Sequence, residues 1–208
     1  MVAAAVGEAV SFPYSRLDVT RLRVPMKIMR LALCSAVLVM QAYAETPHEF
    51  AVRFYQSYFR WQIRGVPSLA ERNRISPFFS SEILRLYTIA DRQRTEFERR
   101  FPFDPKHPEH ALKPPWSKEG DPFSDVWEGI STFAVGRVIP VRGRVGVQAY
   151  LEYIEDGKAH PWTDTLVLER AGNEWVVADI LFARGGALVA DMREGITDTD
   201  RDLRETRK

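Results

Sequence analysis

From residue 46 onward the apolar positions keep first one period and then another. Phe50, Phe54, Tyr58 and Trp61 recur at helical spacing with Arg53, Gln56 and Arg60 elsewhere, which predicts an amphipathic helix over 46–64. Thr46-Pro47-His48-Glu49 gives it a start: Thr46 can cap, Pro47 suits the first helical position and Glu49 completes a capping box. Gly65 and Pro67 end it. A second helix is expected from Ser80 to about Arg100, with Ile83, Leu84, Tyr87, Ala90 and Phe97 inward and Arg92, Arg94, Glu96, Glu98 and Arg99 on a solvated face. Leu69 to Ile75 adds a short helical turn between them. Residues 101–122 contain six prolines and little periodicity, and are expected to form a long irregular loop.

Beyond that loop the period becomes two. Strands are expected at 130–138, 145–154, 162–170 and 174–182, separated by Arg142-Gly143, Asp156-Gly157 and Ala171-Gly172-Asn173. A two-residue turn at Asp156-Gly157 sets Leu166 opposite Val147. A three-residue loop at 171–173 pairs Arg170 with Glu174. Those registers collect Val145, Val147, Ala149, Leu151, Leu166, Leu168, Val176, Ala178, Ile180 and Phe182 on one face. Gln148, Tyr150, Glu152, Thr163, Thr165, Glu169 and Asp179 take the other. One apolar and one polar face predict an α+β fold: N-terminal helices packed on one face of a curved, mainly antiparallel four-stranded sheet. Gly185-Gly186 precedes a short helix to about Glu194, and 195–208, rich in charge, is expected to be a disordered polar tail.

Upstream lies a different signal. Leu31 to Met40 is apolar apart from Ser35, follows Lys27 and Arg30, and precedes Ala42-Tyr43-Ala44, the small-x-small pattern of a cleaved export signal. Ten helical residues rise only about 15 Å, half a bilayer core, so the run is too short to span. The expectation is a signal peptide over 26–44 ending at Ala44, a mature domain over 45–194, and a periplasmic or secreted bacterial location. Residues 1–25 read as an upstream extension without fold, translation starting at Met1, Met26 or Met29.

Composition narrows the function classes. Removing residues 1–44 takes five of the 29 basic and two of the 28 acidic residues, leaving 24 and 26, a net charge of −2. Interspersed signs near neutrality argue against nucleic acid as partner. The one cysteine, Cys34, leaves with the signal, so disulfides, thiolate metal sites and cysteine nucleophiles are excluded together. No cofactor is expected.

Five places carry candidate chemistry. Asp164 falls on the apolar face between Trp162 and Leu166, where a carboxylate must be paired, reach a water-filled pocket or have a raised pKa. It is the candidate general base; the alternative is a strand bulged near Pro161 that leaves Asp164 exposed, or a hydrogen bond from Asp164 to a helix end. Asp179 faces Thr165 across the last hairpin, where a structural hydrogen bond suffices. Tyr58, Tyr87, Trp127 and Tyr150 are candidate binding residues, with core packing as the alternative for aromatics at such spacing. His107-Pro108-Glu109-His110 could supply metal ligands, but Pro108 blocks the helical spacing that makes such ligands converge, so no metal is expected. Gly120-Asp121-Pro122-Phe123 reads as a turn in which Asp121 bonds its own backbone.

Two helices, a long loop and four strands ending in Asn173-Glu174-Trp175-Val176-Val177-Ala178-Asp179-Ile180 resemble the α+β cone of the nuclear-transport-factor-like (cystatin-like) superfamily. Ile75-Ser76-Pro77-Phe78-Phe79, the Gly-Asp-Pro-Phe turn and Trp-x-Val-x-Asp-Ile before Gly185-Gly186-x-Leu188 resemble, within it, a family of exported bacterial domain-of-unknown-function proteins. The resemblance covers 46–194 and implies a cone that binds a ligand or places an acid for isomerase or cyclase chemistry. The expected function is therefore an exported, non-enzymatic binding module for a small ligand or an envelope protein. An isomerase-like enzyme using Asp164 is the alternative, and a homodimer across the sheet is the third.

Overall fold

The computed structural model describes residues 45–205 apart from 104, 107–114, 117–119 and 125. The expected extension 1–25, the expected signal 26–44 and the His107–His110 cluster lie outside the described residues.

Helix α1 (Pro47–Trp61) begins with the reciprocal capping box: the Thr46 hydroxyl accepts from Glu49 N and Glu49 accepts from Thr46 N. It ends one turn before the expected Arg64, at Gln62 in the left-handed region. Helix α2 (Leu69–Ile75) repeats the box with Ser68 and Glu71, and α3 (Ser81–Arg100) is capped by Ser80. Four strands follow as an antiparallel meander in the order β1-β2-β3-β4: β1 (Thr132–Val141), β2 (Arg144–Glu155), β3 (Lys158–Ala171) and β4 (Glu174–Leu181). The first two connections are two-residue turns, Arg142-Gly143 and Asp156-Gly157, with positive φ at both positions, which is why glycine takes the second place.

The β2–β3 register places Leu166 opposite Val147, Val145 opposite Leu168 and Ala149 opposite Asp164, as the two-residue turn predicts. The β3–β4 register differs. Ala171, not Arg170, pairs with Glu174, so the turn has two residues and Leu168 opposes Val177. An irregularity at Ala178 then restores Leu166 to Ile180. Val177 and Ile180 thus join the core face, while Val176 opposes Glu169 and Asp179 opposes Val167 rather than Thr165. The physical reason is burial: without the extra residue, Ile180 could not share a face with Val177, and both are almost fully enclosed.

The core joins Phe50, Phe54, Ile83, Leu86 and Tyr87 of the helices to Val147, Leu151, Leu166, Leu168, Val177 and Ile180 of the sheet. Phe54 sits amid Tyr55, Trp61, Phe78 and Phe79 at ring distances of 5.1–6.1 Å. The edge of β4 is covered by the 78–80 segment, Ser80 N donating to Val177 O and Val177 N to Phe78 O.

The expected tail is a correction. Helix α4 runs Leu188–Glu205, so 195–205 is ordered and helical; 206–208 lie outside the described residues. Leu188, Met192, Ile196, Thr199 and Leu203 make one inward stripe, and Gln93 of α3 donates to Ile196 O and Asp200 Oδ1. Arg100 closes the far end by donating to Leu203 O at 2.8 Å. At Gly195 the missing Cβ admits the Trp116 ring, whose Cη2 would lie 2.6 Å from an added methyl.

Candidate functional site

Three of the expected binding aromatics gather around one loop. Residues 120–130 cross the end of α1, where the Tyr58 hydroxyl donates to Asp121 Oδ2 and itself accepts from Ile130 N at 3.2 Å. Tyr87 donates to Pro122 O at 2.7 Å. Asp121 Oδ1 accepts from Phe123 N at 2.8 Å, the side-chain-to-backbone turn expected of it. Arg64 donates to the carbonyls of Trp127 and Glu128. Trp127 is exposed and covers Gly120, where a Cβ would meet the indole at 2.7 Å. The hydroxyls of Tyr58 and Tyr87 thus anchor this loop. Tyr150 lies elsewhere, on the outer sheet face, its ring over Gly136 in the β1 irregularity.

Two carboxylates meet here, Asp121 within this loop and Asp164 near it. Burial pushes the Asp121 carboxyl up to about 6, against the donors Tyr58 and Phe123 N and the charge of Arg64, while Asp164 adds repulsion. Asp164 is 1% exposed, which overturns the alternative of an exposed acid on a bulged strand. Its Oδ1 accepts from Ala183 N at 3.0 Å and its Oδ2 from Trp162 Nε1 at 3.1 Å. Ala149 opposite is the small residue that leaves room for it. Tyr55 lies under both acids: burial first, then Asp164 and Asp121, raises its phenol well above the usual value. Asp179 accepts from Val189 N at 3.0 Å, so its task is to hold the start of α4.

Beside Asp164 the β2–β3 hairpin projects past the core. On its inner face Leu151 pairs with Trp162 and Tyr153 with His160. A cleft of about 290 Å³ opens there, lined by Val126, Glu128, Tyr153, Glu155, His160 and Trp162, with Arg184 at one side. A groove of about 330 Å³ opens on the outer face, between Thr132, Ala134, Tyr150, Glu152 and Thr163. Pro161 and Trp162 border both. Asp164 lines neither; it is fully buried and accepts a hydrogen bond from Trp162, which lines both.

No family model, curated protein or solved structure matches this chain. Its chemistry must therefore be read from its own side chains. Among the described residues no three His, Cys, Asp or Glu side chains converge as a metal site, and no helix is long and apolar enough to cross a membrane.

Tyr150 and Asp164 were legible from strand alternation, but the cleft residues were not. Tyr153, His160 and Trp162 do alternate on one face, which was a usable signal. Glu128 and Arg184 come from loops distant in sequence, and no periodicity connects them to the hairpin.

Proposed function

We propose that this chain is an exported, non-enzymatic binding module that takes a small ligand at the tip of the β2–β3 hairpin. The observation that carries this reading is the pair of clefts sharing Pro161 and Trp162, one on each side of the hairpin, with an exposed aromatic ring at Tyr150 and a half-buried one at Tyr153. Export rests on the charged, apolar and small-x-small succession of 26–44. The cone-like packing implied by the nuclear-transport-factor-like resemblance belongs to the same proposal, supported by an antiparallel meander whose apolar face meets α1 and α3.

The geometry favours binding over catalysis. Asp164, the candidate base, accepts from two protein donors, is 1% exposed and lines neither cleft. Asp121 is committed to Tyr58 and to its own turn. A general base must reach the proton it removes, and neither acid borders the inner cleft or the outer groove.

The test is a fragment library followed by NMR on the full chain. Saturable shifts at Tyr150, Tyr153, His160 and Trp162, with Tyr150→Ala weakening those fragments that occupy the outer groove, are the expected result. A library that leaves the hairpin tip unmoved removes the site. Dimerisation of the chain through the outer face, read by light scattering, would turn the groove into a contact between two copies.

A further inference from the structure

We propose that the inner cleft of the hairpin tip is a receptor for a small organic ammonium ion; this rests on the hairpin tip being a ligand site. Its walls are aromatic and consecutive on one sheet face. Tyr153 and His160 pair across the strands with ring centroids 6.4 Å apart and planes within 29°, and Trp162 follows two residues along β3. Aromatic faces attract weakly hydrated cations through their quadrupoles, tryptophan most strongly. The indole N–H of Trp162 donates to the buried carboxylate of Asp164, which polarises the ring so as to enrich its face.

Charge points the same way. Glu128 and Glu155 stand on the lining against one guanidinium, Arg184, and Asp156 follows Glu155 at the turn. The Tyr153 phenol senses that balance: after burial, Glu155, Glu128 and Asp156 raise it above its ordinary value. An anion drawn to Arg184 would meet two carboxylates. A bare metal ion is disfavoured, because among the described residues no three ligating side chains converge. The volume of about 290 Å³ suits a compact molecule. A small ammonium on an apolar body uses the acidic and the aromatic walls together: its charge beside the glutamates, its carbons on the rings.

Three isosteric probes decide it: choline, its neutral carbon analogue 3,3-dimethylbutan-1-ol, and the anion 3,3-dimethylbutanoate, each titrated into the full chain with the Trp162 indole N–H, Tyr153 and His160 followed by NMR. Choline is expected to shift these signals saturably, at least tenfold more tightly than the alcohol, with the carboxylate weakest. Glu128→Gln with Glu155→Gln, both exposed and outside the core, should weaken choline about fivefold or more and leave the alcohol unchanged. Equal binding of alcohol and choline, preference for the carboxylate, or indifference to the double substitution overturns the ammonium assignment while leaving the hairpin tip a ligand site. Silence of all three probes at these signals overturns the assignment, and silence across the fragment library removes the site itself.

Discussion

Replacing Asp121 by asparagine isolates the cost of holding a buried charge at the start of the 120–130 loop. The carboxyl rises from an ordinary 3.8 to about 6 in the folded protein because burial outweighs the help of Tyr58, Phe123 N and Arg64. The folded state therefore binds this proton more tightly than the unfolded chain does. Between these two values unfolding releases a proton, so stability falls as pH rises. The contribution is fully present below about pH 4, is lost as pH rises through 6, and is level above that. Roughly two pH units at 1.36 kcal/mol each set a ceiling of about 3 kcal/mol. Asparagine imitates the protonated acid: its oxygen can accept from Phe123 N, and its amide can face the Tyr58 hydroxyl without charge. Urea unfolding of both proteins, followed by tryptophan fluorescence from pH 4 to 8, reads the difference and cancels every other titrating group. Asp121→Asn should gain on the parent steadily between pH 4 and 7, by up to about 3 kcal/mol, and then run parallel. A flat difference refutes the burial argument. A difference of opposite sign would mean that the donors dominate and the carboxylate is the favoured form.

The other consequences are separate. Tyr58→Phe removes a donor that lowers the Asp121 carboxyl, so a carbon-13 titration should find its midpoint above about 6. Asp164→Ala strands Trp162 Nε1 and Ala183 N, costing about 2 kcal/mol and changing the fluorescence of Trp162; an unchanged stability would deny that these bonds matter. Asp91 holds Arg72 at 3.0 Å and also Arg94, both guanidiniums largely covered, so Asp91→Ala should cost about 3 kcal/mol in denaturant. Gly195→Ala should displace Trp116 from Gln93 in the parent, yet add about 1 kcal/mol of helix stability once Trp116 is itself alanine; a double-mutant cycle without coupling would contradict the contact.

Much of the candidate site was visible as alternation. Asp164 stood out because a carboxylate at an apolar position of a strand is a local contradiction, and the fold answers it with Trp162 and Ala183. Asp121 was legible only as a turn residue, since its bond to Tyr58 joins positions 63 apart. The third hairpin misled because loop length and bulge trade one residue against another. A three-residue loop with a regular strand and a two-residue turn with a bulge both keep Leu166 and Ile180 on one face. The tail misled for a different reason: a charged helix with a central glycine has weak intrinsic tendency, and its stripe from Leu188 to Leu203 becomes stable only when α3 is there to cover it.

The chain alone determined whatever depends on neighbours: the capping box at Thr46, the Ser80 cap, glycine turns at 143 and 157, and the two-residue period that separates the faces of the sheet. These follow from backbone sterics and from hydrogen bonds closed within a few residues. Tertiary structure decided what depends on desolvation: which acids lose water, that Asp164 is enclosed beside Trp162, and that Glu128 and Arg184 meet the hairpin tip. Water is excluded by the sum of distant parts, and no local stretch of sequence records that sum.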